Sequence, residues 1–484
     1  MEKSSIKKNI VYQSLYEVLI LILPFITSPY IARILGAEKL GVFSYTHAIA
    51  NYFVIFAMLG IKNHGNREIA KVRDNEQELS KTFSNLLFLH IITSSISIFL
   101  YAIYFVCFVK EYSIHFFLQS FFVVSALFDI SWFYFGIEKF KLTVTRNSIL
   151  KIISVILVFL LVKNTDDLWK YTAIMSLGTL MSQIILWLPL KKYVKLQKPS
   201  LKEMKKNIAP IITLFIPVIA ISLYKYMDKI MIGSISTKKE LGFYENSEKV
   251  LNISLTIITS FGTVMLPRMS NLLNKNKEAA KKYIQISMKY IMMIAIAISC
   301  GLFSVATIFS IIFWGKRFER CGIIIKVLAI SIPFTAFANI IRTQYLIPTK
   351  KDRNYISSVF TGAIVNLILN VILIPKYGAI GASIGTLFAE IAVCIMQTLA
   401  VIKELTIKKY ILSFISFIPV GLIMVFALYL INYYSNPTII NLIIQVMVGG
   451  IIYITLAILI LLFSNDQTFT NFISGIRKRS QGKT

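Results

Sequence analysis

Residues 437–463 read PTIINLIIQVMVGGIIYITLAILILLF and contain no Asp, Glu, Lys or Arg. A helix needs about 20 apolar residues to cross a bilayer core, so this stretch predicts a membrane-spanning helix. Thirteen more apolar stretches precede it, and the sequence therefore predicts an all-α polytopic membrane protein with about 14 transmembrane helices. The predicted helices lie at roughly 9–32, 40–61, 82–109, 112–137, 148–162, 168–190, 208–236, 243–266, 287–315, 321–347, 355–374, 377–402, 410–434 and 437–463.

The overall composition excludes a soluble protein. Hydrophobic residues make up 56% of the 484 residues, and the mean hydropathy is +0.71, which few water-facing surfaces tolerate. The formal net charge of +28 would suit a nucleic-acid-binding protein. Its lysines and arginines, however, lie between apolar stretches without interleaved aromatic residues, so no nucleic-acid partner is predicted. The four cysteines show no metal-ligand spacing, and we predict neither a metal nor a cofactor.

The distribution of basic residues predicts the orientation in the membrane. The N-terminus, alternate connections and the C-terminal tail together hold 33 lysines and arginines, whereas the intervening connections hold 11. Basic residues accumulate on the cytoplasmic side of membrane proteins. We therefore expect a multi-pass protein of the cell membrane with both termini in the cytoplasm.

Three short motifs recur in order along the chain and indicate an internal duplication. They are Leu40-Gly41-Val42-Phe43 with Leu241-Gly242-Phe243-Tyr244, 201 residues apart, and Arg146-Asn147 with Arg353-Asn354 and Gly178-Thr179-Leu180 with Gly385-Thr386-Leu387, both 207 apart. Six predicted helices separate the copies, so the repeats are parallel. The predicted organisation is an N-terminal lobe at 1–190, a basic cytoplasmic linker at 191–208, a C-terminal lobe at 209–404, and two extra helices with a basic tail at 405–484.

Charged residues inside an apolar span are costly and often mark function. In the seventh predicted helix, Lys225, Asp228 and Lys229 have spacings that place them on one face. Together with Arg33 and Lys249 they could line a cationic vestibule, which suits a phosphate or pyrophosphate. The alternative is that the lysines extend to the outer surface and pair with Asp228.

Carboxylates at three further positions are candidates for ion coupling. Asp129 lies in the fourth predicted helix, Glu17 in the first and Glu390 in the twelfth. A buried carboxylate can take up a proton or a cation during transport. Each can equally be a neutral hydrogen-bonded group that packs two helices together, and the residues leave both interpretations open.

Several motifs resemble the polysaccharide repeat-unit flippases of the Wzx family. The most specific is the opening stretch 23–45, LPFITSPYIARILGAEKLGVFSY, and the others are REIA at 67–70, DISWFYFG at 129–136, YMDKIMIG at 226–233 and PKYGAIGA at 375–382. The resemblance runs from residue 1 to about residue 465. It implies the multidrug/oligosaccharidyl-lipid/polysaccharide exporter fold, with two six-helix lobes and two further helices.

The resemblance also implies a function. Such a protein turns an undecaprenyl-pyrophosphate-linked oligosaccharide repeat unit from the cytoplasmic to the outer leaflet by alternating access, for a capsule or another exopolysaccharide. Its cationic cavity maps onto Arg33, Lys225 and Lys229. The implied partners are this lipid-linked glycan and the membrane lipids, with a glycan polymerase and a chain-length regulator as candidate protein partners.

Other functions remain as alternatives. A teichoic-acid or peptidoglycan precursor flippase differs mainly in cargo. A multidrug exporter of the same superfamily normally has twelve helices and prefers organic cations. A membrane glycan polymerase usually needs a large extramembrane loop or paired carboxylates, which the short outer connections lack. The chain also has no Gly-x-x-x-x-Gly-Lys-Ser/Thr motif, so we do not expect it to hydrolyse ATP itself.

The alternation of basic connections makes a topology prediction. Cysteine labelling or reporter fusions should report the outside at Lys110, Lys238 and Lys376, and the cytoplasm at Lys195, Lys277 and Arg479. A cytoplasmic signal at Lys238 would contradict the orientation of the second half.

Overall fold

The computed structural model describes residues 6–466, 468–471 and 474, with side chains from residue 22 onward except that of Tyr224. Over this part of the chain the structure is helical, without strands, which confirms the predicted all-α fold. The α-helices are α1 (Ile6–Met58), α2 (Ile61–Val72), α3 (Glu76–Phe108), α4 (Ser113–Leu127), α5 (Ser131–Gly136), α6 (Phe140–Leu161), α7 (Leu168–Ile185), α8 (Leu201–Ile235), α9 (Lys238–Lys275), α10 (Lys277–Trp314), α11 (Glu319–Ile341), α12 (Asp352–Tyr377), α13 (Ala379–Val401), α14 (Ile407–Phe414), α15 (Phe417–Tyr434) and α16 (Ile439–Phe463).

Thirteen helical segments within the described residues are long and apolar enough to cross a membrane. The chain is therefore a multi-pass membrane protein with close to the predicted number of spans. The difference from 14 arises at the start, where α1 contains both of the first two predicted helices. Gly36 joins them in a non-helical conformation with φ of 75°. A side chain is strained at this φ, so glycine allows the change in direction within a nearly continuous helix.

The fourth predicted helix is interrupted in the structure. It consists of α4, which ends at Leu127, and the short α5, which starts at Ser131. Between them, Asp129 Oδ1 accepts a hydrogen bond from the backbone N–H of Ser131 at 2.9 Å. Short polar side chains compete with the helix for backbone donors in this way. The apolar composition of 112–137 therefore predicted the span but not the break within it.

The helices form two compact units. The first contains residues 1–245 and 370–379, and the second contains 246–369 and 380–484. The helices α9 and α12 thus belong partly to each unit. The predicted boundaries of the lobes and the linker remain a prediction, and α8 packs with the N-terminal helices of the first unit through a contact with α1.

Within the first unit, α1 and the start of α9 cross with almost no space between their backbones. A Cβ atom on Gly41 would lie 1.6 Å from the carbonyl oxygen of Lys238, and one on Gly242 would lie 1.8 Å from that of Ala37. The contact is reciprocal, because Ala37 and Lys238 are separated by the same 201 residues as Gly41 and Gly242. This geometry supports the duplication, since the two copies of one motif pack against each other.

In the second unit, α10 packs along α11 and also contacts α14, α15 and α16. Polar side chains hold the last two helices against α10. Asn432 Nδ2 donates to the Ser304 carbonyl at 3.1 Å, and Gln445 Nε2 donates to Asn432 Oδ1 at 2.8 Å. Tyr453 Oη donates to the Met293 carbonyl at 2.7 Å. Such bonds take the place of a hydrophobic driving force between helices in lipid.

An ion pair also joins two connections of the second unit. Glu404, between α13 and α14, accepts hydrogen bonds from Lys351 Nζ and from Tyr345 Oη. The Lys351 ammonium, and secondly the Tyr345 hydroxyl, hold the pKa of the Glu404 carboxyl below its usual value. The Glu404 carboxyl therefore stays ionised at neutral pH, and its bonds tie the connection after α11 to the one after α13.

The backbone crossing makes a stability prediction. Gly41→Ala or Gly242→Ala should lower the thermal unfolding temperature of the purified protein, because the added methyl group forces the backbones apart. Overpacking of this kind costs about 1–3 kcal/mol. Gly450→Ala in α16 is the matched control, since a Cβ there meets no atom within 4 Å. Equal unfolding temperatures for all three variants would show that the crossing is not tightly packed.

Candidate functional site

The charged face of α8 lies inside the first unit, and Asp228 is its most buried member, with 3% of its surface exposed. Tyr244 Oη donates to Asp228 Oδ2 at 2.7 Å, and Asn370 Nδ2 donates to Asp228 Oδ1 at 2.6 Å. Three helices, α8, α9 and α12, therefore meet at one carboxylate. Hydrogen bonds to an ionised carboxylate offset much of the cost of burying it.

Lys229, the next residue on α8, forms an ion pair with α9. Its Nζ lies 2.7 Å from Glu245 Oε2, and Ser44 Oγ on α1 donates to the same oxygen at 2.8 Å. Lys229 is 9% exposed. The ammonium group is thus compensated within the protein, and the backbone crossing of α1 and α9 is what brings Ser44 and Glu245 into reach.

Lys225 differs from Lys229 because its side chain is exposed. It forms no ion pair with the side chains that the structure describes, and its Nζ lies 5.7 Å from the centre of the Tyr226 ring. The Lys229 ammonium lies 6.0 Å from the same ring. Tyr226 also contacts Tyr52 of α1 edge to face, with 6.2 Å between ring centres. One aromatic ring therefore stabilises two cations through its negative faces.

Near Ser44, the α1 residue His47 is surrounded by aromatic and amide side chains of α1 and α4. The His47 ring lies 4.6 Å from the Phe122 ring and 5.4 Å from the Phe43 ring. His47 Nδ1 is 3.3 Å from Gln119 Oε1, and among the described side chains Gln119 Nε2 is buried without a hydrogen-bond partner. An unpaired buried donor of this kind has a free energy cost, so the polar groups beside His47 are only partly satisfied.

The structure brings some of the predicted site residues together and separates others. Lys225, Asp228 and Lys229 share one region of the first unit, and Arg33 is exposed on α1, three residues before Gly36. Lys249 belongs to the second unit, where it is half-buried on α9. The role of all four cations in binding stays a prediction.

The candidate carboxylates lie in separate places. Asp129 marks the break between α4 and α5. Glu390 on α13 accepts a hydrogen bond from Thr335 Oγ1 at 2.9 Å in the second unit. Glu17 lies in the part of α1 whose side chains are outside the described residues. Over the described residues, no group of three His, Cys, Asp or Glu side chains is placed to hold a metal ion.

Sequence reasoning missed the partners of the charged face. Ser44, Tyr244, Glu245 and Asn370 come from three other helices, and no local pattern connects them with α8. One signal was available for two of them. Ser44 and Glu245 are 201 residues apart, the same spacing as the duplicated Leu-Gly motifs. Each lies three residues after the glycine of its motif, and in the structure the two side chains are hydrogen-bonded to each other.

Comparisons with known proteins agree with this fold. The chain superposes on the lipid II flippase MurJ in an inward closed conformation with a TM-score of 0.76 and 17% identity, over 93% of this chain and 99% of that one. An inward-facing multidrug resistance transporter of the MATE family and MOP superfamily superposes with a TM-score of 0.58 and 13% identity, over 86% and 100%. At these identities the likeness concerns the fold alone.

The sequence defines the family more closely. The chain belongs to the polysaccharide biosynthesis protein family, whose model matches residues 6–273. It is 26% identical over 399 residues to a protein named as an O-antigen transporter in Shigella dysenteriae, covering 82% of this chain and 100% of that one. A protein with the same name in Escherichia coli K12 is 25% identical over 82% and 96%. A protein named as a low-salt glycan biosynthesis flippase in Haloferax volcanii is 24% identical over 75% and 76%.

The ion pair between Lys229 and Glu245 makes a prediction about stability. Lys229→Ala or Glu245→Ala should each lower the unfolding temperature, because either change leaves the partner's charge poorly compensated, at a cost of a few kcal/mol. The double variant Lys229→Ala with Glu245→Ala should be less destabilised than the sum of the two single changes. Additive effects in this double-mutant cycle, measured by thermal unfolding in detergent, would show that the two groups are not coupled.

Proposed function

We propose that the chain is a flippase that moves an undecaprenyl-pyrophosphate-linked oligosaccharide repeat unit across the cytoplasmic membrane by alternating access. The single observation that carries this proposal is the match to a named O-antigen transporter over that protein's whole length. The family match, the glycan flippase relative and the transporter fold support it further. The chain acts as a transporter rather than as an enzyme.

The charges on α8 suit such a cargo. A pyrophosphate carries several negative oxygens, and ammonium groups donate charge-assisted hydrogen bonds to them. Lys225 is exposed and has no carboxylate partner that the structure describes, so it is the cation most ready to meet a phosphate. Lys229 is held by Glu245, and it would bind cargo only by exchanging one anion for another. We assign Lys225 and Lys229 to cargo binding, with Arg33 and Lys249 as further candidates.

Coupling to an ion is the second part of the proposal. Among Asp228, Asp129, Glu17 and Glu390, Asp228 is the strongest candidate because it is buried and joins three helices through hydrogen bonds. A change in its charge would alter contacts on all three helices at once. Asp228→Asn tests this role, since the amide keeps the shape but removes the charge.

The cellular setting completes the proposal. Both termini lie in the cytoplasm, the cargo serves a capsule or another exopolysaccharide, and a glycan polymerase and a chain-length regulator act with the flippase. Deletion of the gene in its own host should abolish the surface glycan and accumulate lipid-linked repeat units that remain inaccessible from outside the cell. Normal surface glycan in the deletion strain would overturn the proposed cargo.

The charged face makes a mutational prediction. Lys225→Ala should reduce glycan export by about tenfold at unchanged protein level, because a charge-assisted contact to phosphate contributes about 1.5–3 kcal/mol. Lys225→Arg should keep part of the activity, since the charge is retained but the geometry is not equivalent. Lys229→Ala should also lower export.

The matched control is Lys163→Ala, an exposed lysine in the connection between α6 and α7 of the same unit. It should export normally. If Lys225→Ala and Lys229→Ala also export normally at wild-type protein level, these lysines do not bind the cargo and the assignment is wrong.

A further inference from the structure

A lysine-rich segment, residues 191–206, follows α7 and includes the first turns of α8. It contains seven lysines and one glutamate, and every one of the lysine side chains is exposed. They are Lys191, Lys192, Lys195, Lys198, Lys202, Lys205 and Lys206. Glu203 pairs with Lys206 at 2.8 Å, so one carboxylate faces seven ammonium groups. The segment therefore presents a dense positive charge that the described part of the chain does not neutralise.

The backbone of this segment is fixed rather than free. The N–H groups of Lys195, Gln197 and Ser200 donate to three polar side chains of α3. The acceptors are Ser80 Oγ at 3.2 Å, Ser84 Oγ at 2.9 Å and Asn85 Oδ1 at 2.7 Å. Holding like charges together on a rigid path is unfavourable. A flexible linker would separate them, so the fixed path suggests that something outside the protein offsets the repulsion.

Apolar side chains point in opposite directions along the same segment. Val194 and Met204 are buried in the core of the first unit. Leu196 is 64% exposed, Leu201 is 72% exposed, and Leu188, just before the segment, is 77% exposed. Exposed leucines between lysines are typical of a surface that lies at the boundary between lipid chains and headgroups. The segment also connects two candidate membrane spans, which places it at that boundary.

We propose that the lysine-rich segment is a binding surface for the headgroups of anionic phospholipids. The lysines contact the phosphates, and Leu188, Leu196 and Leu201 enter the upper part of the acyl chains. Clusters of four to eight basic residues next to a membrane span favour anionic lipid because each charge adds to the attraction. Because α3 holds the segment in place, the bound lipids are fixed to the first unit. This inference does not depend on the proposed cargo.

The test compares titrations of the full-length protein with an anionic and with a zwitterionic lipid. Purified protein in detergent is titrated with phosphatidylglycerol or with phosphatidylcholine, and bound lipids are counted by native mass spectrometry. The wild type should prefer phosphatidylglycerol, and the preference should fall as NaCl rises from about 150 mM to about 500 mM. The variant with Gln at Lys195, Lys198, Lys202 and Lys205 should lose about tenfold in this preference.

The matched control carries Gln at four lysines of another basic connection, namely Lys275, Lys277, Lys281 and Lys282. It changes the net charge equally and should keep the wild-type preference. If both variants lose the preference to the same extent, the effect is one of net charge and the proposal is overturned. It is also overturned if neither variant changes.

A second measurement keeps all charges in place. In phosphatidylcholine vesicles with about one third brominated phosphatidylglycerol, Trp187 just before the segment should be quenched, and the difference between wild type and Trp187→Phe isolates its signal. Leu196→Ser with Leu201→Ser should weaken this quenching, because the segment then lies farther from the acyl chains. Trp187 quenching that is equal with brominated phosphatidylcholine and with brominated phosphatidylglycerol would contradict a headgroup site.

Discussion

The first unit depends on the close crossing of two backbones. In lipid, helices gain little from hiding apolar surface from one another, so they associate through tight packing and hydrogen bonds. Gly41 and Gly242 permit that packing, because the surface of each lies directly against a carbonyl group of the other helix. Everything beyond the crossing follows from this register. One turn farther along, Ser44 meets Glu245, and Glu245 in turn meets Lys229 of α8.

The charges of the site are balanced by different means. Asp228 accepts hydrogen bonds from a phenol and an amide. Lys229 has an anionic partner, whereas Lys225 has an aromatic neighbour and an exposed ammonium group. A ligand that is negative would meet the least compensated cation first. The two lysines on this face of α8 thus differ in how accessible their ammonium groups are to an anion. An anion that binds Lys225 and then leaves does not disturb the ion pair of the buried Lys229.

The sequence predicted what depends on local composition. Apolar length predicted the spans, and the spacing of Lys225, Asp228 and Lys229 predicted their shared face. The break at Asp129 was missed because one side-chain hydrogen bond decides it, whereas the first two predicted spans meet at a kink where Gly36 has a non-helical φ. The partners Tyr244 and Asn370 come from distant parts of the chain. Such pairings are set by tertiary packing, on which a periodic pattern in one helix carries no information.

The reciprocal contact at the crossing has a consequence for the origin of the chain. In a dimer with two-fold symmetry, residue i of one subunit contacts residue j of the other, and j contacts i. Ala37 with Gly242, and Gly41 with Lys238, obey this rule at a spacing of 201 residues. This is an isologous interface contained within one polypeptide. A half-length ancestor with the Leu-Gly motif would have been able to form it between two copies, and gene fusion would then have freed each copy to diverge. The pair of Ser44 and Glu245, one neutral and one charged at equivalent positions, is the kind of asymmetry that only the fused chain permits.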